Sequence, residues 1–234
     1  MHLPRRVEPE ALDRLPQTDP RAIRSRRDLR RINRVMATLS ILCRGIEVAT
    51  RGRPPRRIVE LGAGDGTLLL RLARRRAPKW PGVEATVVDR QNLVNPETRQ
   101  GFTALGWTLR VVARDVFEWL DGSDPVAHDL LLANLFLHHF EGEVLARILS
   151  GIARRSAAFV ACEPRRAPMA LFASHLVGLL GCNAVSRNDA VLSVQAGFRD
   201  AELTAMWPEK RSWRVEEYPA GLFSHCFLAT RSGE

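Results

Sequence analysis

The stretch Val59-Glu60-Leu61-Gly62-Ala63-Gly64-Asp65-Gly66 constrains this chain more than any other. A short apolar run passes directly into three glycines spaced by single residues, and leucines at helical spacing follow over 67–76. Glycines after a strand allow a tight turn and close backbone approach to a ligand, while the helix that follows offers free amide groups at its start. A phosphate loop is excluded. No Gly-Lys-Ser/Thr follows, so the phosphate lysine and the magnesium-binding hydroxyl are both missing.

The alternation that begins with this turn continues. A second strand over 84–88 ends in Asp89, a helix covers 95–105, and a third strand over 108–112 leads to Asp115 and a short helix over 116–120. A fourth strand over 129–134 runs into Leu135-Phe136-Leu137-His138-His139, a helix covers 143–153, and a fifth strand over 157–162 ends at Glu163. Strands separated by helices at these intervals predict a largely parallel sheet covered on both faces. Ligands then belong at the carboxyl ends of the strands, where residues 62–66, Asp89, Asp115, Asn134 and Glu163 fall. After a helix over 201–206, extended segments at 213–218 and 225–230 predict an antiparallel hairpin at one sheet edge. Before the sheet, residues 1–20 read as a loose lead-in with a helical turn around 8–15. From Arg21, Ile23, Leu29, Ile32, Val35, Met36, Leu39 and Leu42 repeat at helical spacing, predicting one or two amphipathic helices.

Charge separates the two nucleotide readings left open by the glycine turn. A dinucleotide brings a pyrophosphate, whereas Glu60 and Asp65 set two carboxylates around the turn, which suits a cationic amino-acid portion such as that of S-adenosylmethionine. The run Glu60-Leu61-Gly62-Ala63-Gly64-Asp65-Gly66, with Asp89 after the next strand, resembles motif I and the ribose acid of class I S-adenosylmethionine-dependent methyltransferases. The resemblance covers 57–163. It implies an α/β, Rossmann-like sheet of seven mostly parallel strands with a C-terminal antiparallel hairpin, helices on both faces and additional N-terminal helices. It also implies a donor site made of Glu60, Gly62, Ala63, Gly64, Gly66, Asp89, Arg90, Asp115, Val116 and Asn134, with Asp89 on the ribose and Asp115 near the adenine amine. More narrowly, the RRINRVM, LFLHHF and NDAVLSVQAGF stretches look like small-molecule methyltransferases of polyketide or quinone-type metabolism. The expected organisation is a helical lead-in and pocket cover at 1–50, then a methyltransferase domain at 51–234 with 165–195 inserted as an active-site cover.

Residues for the acceptor are less sharply marked. His138 and His139 follow the fourth strand beside the expected donor, and histidine titrates where it can deprotonate a phenol or enol; a loop-shaping or helix-start role is the competing reading. Glu163 orients a substrate or pairs with a neighbouring arginine. His175 lies in the apolar cover, expected as a helix over 168–182, and faces either pocket or core. Asn188 is a pocket candidate, although Asn188 and Asp189 also read as caps of a short helix, and His225 reads as structural. An apolar cover with few convergent acids favours a flat or greasy acceptor. No Asn/Asp-Pro-Pro-aromatic segment, Pro-Cys dipeptide or clustered metal acids can be recognised, so nucleobase-type chemistry is disfavoured and no metal is expected.

Composition bounds the remainder. The chain carries 35 basic residues against 26 acidic ones in 234, a formal charge of +9, with 45% hydrophobic residues; only Lys79 and Lys210 are lysines. Nucleic-acid binding is one reading of that excess, and a solvated arginine-rich face is the other. An RNA methyltransferase, using Arg21 to Arg34 and stacking on Trp80, Trp107 or Trp119, and a non-catalytic donor-binding protein therefore stand as alternatives. Four widely spaced cysteines, no apolar N-terminal run and no spanning segment lead to the expectation of a cytoplasmic monomer or homodimer that takes a small-molecule acceptor.

Overall fold

The computed structural model describes residues 3–122 and 128–232. Residues 1, 2, 123–127, 233 and 234, which the expected domain bounds include, lie outside them. Seven strands form one sheet: β1 (Arg57–Leu61), β2 (Glu84–Asp89), β3 (Thr108–Ala113), β4 (His128–Asn134), β5 (Ser156–Pro164), β6 (Trp213–Ala220) and β7 (Ser224–Arg231). Their order is β3-β2-β1-β4-β5-β7-β6. The first five strands run parallel, and β7 pairs antiparallel with both β5 and β6, closing the expected hairpin edge.

The central strands read as continuous apolar runs because both of their faces are covered. In β4, Leu130 and Leu132 face one core while Leu131 and Ala133 face the other, and β5 divides Val160 from Phe159 in the same way. The first core is closed by α3 (Thr38–Ala49), α4 (Thr67–Arg76) and α5 (Pro96–Ala104), which contribute Ile46, Leu72 and Phe102. The second is closed by α6 (Val116–Asp121), α7 (Gly142–Arg155) and α10 (Glu202–Met206), with Leu120, Ile148 and Leu203 fully or nearly buried. Each such aliphatic side chain stabilises the fold by about 1.5–3 kcal/mol on burial.

Three further helices build the cap over the carboxyl ends of the strands: α2 (Pro20–Val35), α8 (Pro168–His175) and α9 (Ala184–Ala196). Local chemistry starts two of them, since Asp19 accepts from the Arg21 amide with Pro20 in the first turn, and Asn183 accepts from the Ser186 amide at 2.8 Å. Buried Asp28 of α2 then takes the Asn183 amide at 2.8 Å and the Ser186 hydroxyl at 3.1 Å, tying α2 to α9. The expected single helix over 168–182 is divided. α8 stops at His175, a 3-10 turn covers Val177–Leu180, and Gly181 at φ 74° ends it.

The lead-in is not loose. Arg5 donates to the carbonyls of Ala196 and Phe140, both at 2.8 Å, and its guanidinium lies over the Phe198 ring. The single turn α1 (Ala11–Arg14) is capped from 178 residues away, where Asp189 accepts from the Ala11 and Leu12 amides. Asp189 therefore caps a helix, as its residue type suggests, but from the interior of α9 and for a different element. No helix among the described residues is long and apolar enough to cross a membrane. All four cysteines are free and buried.

Candidate active site

The glycine turn sits between β1 and α4. Gly62, Gly64 and Gly66 adopt φ of 65°, 56° and 70°, a left-handed region that β-carbon sterics make costly for other residues. Asp89, ending β2, accepts from the Gly64 amide at 2.8 Å through Oδ2 and from the Gln91 amide at 3.0 Å through Oδ1. Asp65 accepts from the Thr67 amide, and its other oxygen takes Arg30 of α2 at 2.5 Å, so the cap helix is pinned to the loop.

A cavity of about 150 Å³ opens against this loop, lined by Glu60, Gly62, Ala63, Gly64, Asp65 and Asn134 of the sheet side and by Leu29 and Arg30 of α2. Glu60 is almost fully buried, and its Oε2 has no hydrogen-bond partner among the described residues; neither has Oδ1 of Asn134. Burial, followed by the charge of Asp65, pushes the Glu60 carboxyl up to about 8. A Cβ on Gly64 would meet nothing within 4 Å, whereas one on Gly62 would strike the Phe136 ring at 2.3 Å. Two unpartnered oxygens beside open backbone fit a ligand that brings cationic or N–H groups, which is the donor set the sequence predicts.

The other expected donor residues are not in the lining of this cavity. Gly66 starts α4, Asp115 caps α6 through the Phe117 amide at 2.8 Å, and Val116 packs into the second core. Exposed Arg90 approaches Asp13 of α1 at 3.8 Å.

A second cavity, of about 300 Å³ and mostly apolar, adjoins the first; Leu29 and Leu135 line both. Ile32 of α2, Met36 directly after it, Ala173 of α8, Ala190 and Val194 of α9 and Phe223 form its greasy wall, while Glu10, Asp189 and Ser193 are among its few polar groups. Leu135 enters this junction with φ 50°, a strained conformation directly after β4.

Glu163 holds the turn that follows. It is fully buried and accepts from the amides of Phe136 and Leu137 and from His138 Nδ1 at 2.9 Å, so it pins the turn and needs no arginine partner. His138 Nε2 meets Glu10 at 3.3 Å. Burial alone would lower the His138 pKa, but the hydrogen bonds and charges of Glu10 and Glu163 outweigh it and raise it to about 9. Burial and the neighbouring His138 charge lower that of His139, whose ring lies 4.2 Å from the His138 ring and whose Nδ1 is 3.6 Å from Asp13.

The remaining candidates fall outside. His175 and Asn188 are exposed and line neither cavity, and His225 bonds Glu217 at 2.8 Å in the hairpin. Glu10 and Ser193 are the residues that sequence reasoning missed. No local periodicity marks Glu10, which reaches His138 across 128 residues of chain.

No protein-family model matches this chain, and no curated protein does. Solved structures do. The plantazolicin methyltransferase BamL in complex with a triazolic desmethylPZN analogue and SAH superposes with a TM-score of 0.66 at 10% identity, over 94% of this chain and 93% of that one. An O-methyltransferase family protein from Burkholderia thailandensis gives 0.61 at 17% identity over 92% of this chain and 61% of that one. The magnesium protoporphyrin IX methyltransferase of Synechocystis PCC 6803, with bound SAH, gives 0.55 at 15% identity over 88% and 93%. The fold is that of the class I S-adenosylmethionine-dependent methyltransferases. At these identities the likeness defines architecture alone.

Proposed function

We propose that this protein transfers a methyl group directly from S-adenosylmethionine to oxygen or carbon of a small aromatic or polyketide-like acceptor. The observation that carries this reading is the junction at Leu29 and Leu135, where a cavity lined by Glu60 and Asn134 adjoins a larger apolar one. When bound, the donor supplies a methyl group on a positively charged sulfur that leaves as a neutral thioether.

The chain's own groups supply the rest. Glu60 and Asn134 accept hydrogen bonds from the cationic amino-acid portion, and Asp89, besides holding Gly64, accepts the ribose hydroxyls. The solved structures that carry SAH on this fold lend the donor assignment support by analogy. The walls from α2, α8 and α9 exclude water and align a flat acceptor, the positional contribution that methyl transfer needs most.

An RNA acceptor finds less support. In α2, Arg21, Arg30 and Arg31 are engaged by Asp19, Asp65 and Asp28. Trp80 and Trp107 are buried, and Trp119 is half-buried against His128 and Arg155, so none forms an open stacking platform. The test is calorimetric titration with S-adenosylmethionine and NAD, followed by a labelled-methyl screen of phenols, quinones and bulk RNA. Donor binding with label on a phenol or quinone is expected. Label on RNA, or binding of NAD alone, contradicts the reading.

A further inference from the structure

Two carboxylates line the apolar cavity, and their surroundings separate their roles. Asp189 is committed, because its two oxygens take the Ala11 and Leu12 amides at 2.9 Å each. Among the described residues the Glu10 carboxylate takes no backbone amide; its Oε1 receives Ser193 and His138 Nε2, and His138 is held from behind by fully buried Glu163. The result is a carboxylate at the cavity wall, backed by an imidazole whose orientation a second carboxylate fixes. This is the order of groups by which a proton acceptor is positioned.

From this geometry we infer that Glu10 is the general base of the acceptor cavity, taking the proton of a phenolic or enolic hydroxyl, with His138 and Glu163 as its positioning residues. The inference rests on the methyl-transfer reading above and narrows the acceptor to an ionisable hydroxyl. In the step, the acceptor O–H bond breaks, its proton passes to the Glu10 carboxylate and its electron pair stays on oxygen. That oxygen forms the new O–C bond while the S–C bond of the sulfonium donor breaks with its pair left on sulfur. Glu10 then returns its proton to solvent.

The ionisation states agree with this assignment. Burial would raise the Glu10 carboxyl, but the hydrogen bond and charge of His138 outweigh it and hold the group below its ordinary value, so it is ionised at neutral pH. The charged groups facing the pair are Glu163 of β5, His139 of the same turn, Asp13 of α1, Asp189 of α9 and Arg5, whose guanidinium reaches the His138 carbonyl at 3.3 Å. The wild-type rate should therefore be level through neutral pH and should not fall as His138 loses its proton near 9, since that loss removes the charge that holds Glu10 down.

The experiment compares the full-length wild type with Glu10→Gln and Glu10→Asp. Donor affinity is measured by calorimetry, methyl transfer is followed on the best substrate of a panel of phenols, enols, amines and carbon acids, and a donor-free spectrum is taken of bound 4-nitrophenol. Donor binding should be the same in all three proteins. Glu10→Gln should lower kcat by about 10²–10⁴-fold with little change in KM, and Glu10→Asp should restore part of it. The residual Gln rate should climb with pH as the phenol ionises by itself, a change that a merely structural role does not produce. Bound 4-nitrophenol should ionise at a higher pH in the wild type than in the Gln variant, because an ionised Glu10 in contact with the hydroxyl disfavours a second negative charge beside it; equal ionisation in the two would place the hydroxyl elsewhere and overturn the inference. Unchanged kcat and pH profile in Glu10→Gln overturns the inference while leaving the methyltransferase reading intact, as does a panel in which no hydroxyl is methylated. One equivalent of Zn²⁺ bound by the wild type and lost in the Gln variant also overturns it, since Glu10, His138 and His139 would then be metal ligands. Absence of donor binding by the folded wild type fails the methyl-transfer reading itself.

Discussion

Asp89 Oδ2 lies 2.8 Å from the Gly64 amide, so the acid ending β2 holds the glycine loop in place from the neighbouring strand. The same carboxylate takes the Gln91 amide with its other oxygen. Removing it releases two backbone donors and, on the proposed function, the ribose hydroxyls. Asp89→Ala is expected to weaken S-adenosylmethionine binding about 10- to 100-fold, in line with about 1.5–3 kcal/mol for a bond to a charged group. Calorimetry checks this, and unchanged affinity in a folded variant contradicts the ribose role.

Gly62 and Gly64 separate two causes of strain within one loop. Both have positive φ, but only Gly62 faces an obstacle, the Phe136 ring at 2.3 Å from its would-be Cβ. Phe136 cannot readily move, because its amide is held by Glu163 and its ring packs edge-on against Phe140 at 5.2 Å. Gly64→Ala should cost about 1–2 kcal/mol for the left-handed backbone, and Gly62→Ala about 2–5 kcal/mol once overpacking is added. Urea denaturation of the two variants side by side tests the ordering, and equal losses would show that the ring yields.

The loop and its sheet were readable in sequence because their determinants are local. Three glycines after an apolar strand and acids after successive strands follow from spacing and residue type. The cap was not readable for the opposite reason. Asn188 and Asp189 look like helix caps, yet both lie inside α9, and Asp189 is aimed at α1 by packing that no local pattern encodes. Glu10 lies in a proline-rich lead-in whose sequence suggests a loose tail, and only the docking of Arg5 and α1 brings it to His138. His175 shows the converse, since an apolar setting in sequence becomes an exposed helix end. Part of the arginine excess proved to be structural. Arg155 donates to the Leu120 carbonyl at 2.8 Å, and Arg76 to that of Cys43 at 2.9 Å, each using a guanidinium to cap backbone.

Glu60 should couple donor binding to pH. Its folded carboxyl titrates at about 8, against an ordinary value of 4.5, so between those limits the folded chain keeps a proton that the unfolded chain has lost. Its contribution to folding stability therefore falls as pH rises through that window. A cationic ligand favours the ionised form, so binding expels the proton. Donor affinity should rise by up to about tenfold per pH unit from near 6 and level off above about 8. Calorimetry in buffers of different ionisation enthalpy should register proton release near pH 7. Glu60→Gln should bind more weakly and without that release; a Gln variant that keeps it would assign the proton elsewhere.

Filling the apolar cavity should separate the two ligands. Ala190 lines only the larger cavity, on the α9 wall. Ala190→Trp is expected to leave donor affinity within about twofold while raising the acceptor KM by more than about tenfold, because only the acceptor's uniform binding is removed. Steady-state kinetics with each substrate varied in turn measures both. Equal damage to the two would place the acceptor elsewhere.

The central claim is that the glycine-loop cavity is built for a sulfonium donor. Titration of the full-length protein with S-adenosylmethionine at pH 8, followed by heat of binding, tests it most directly. A single saturable site that Asp89→Ala weakens is expected; a folded protein that gives no heat with S-adenosylmethionine, or that binds NAD in its place, overturns the donor reading.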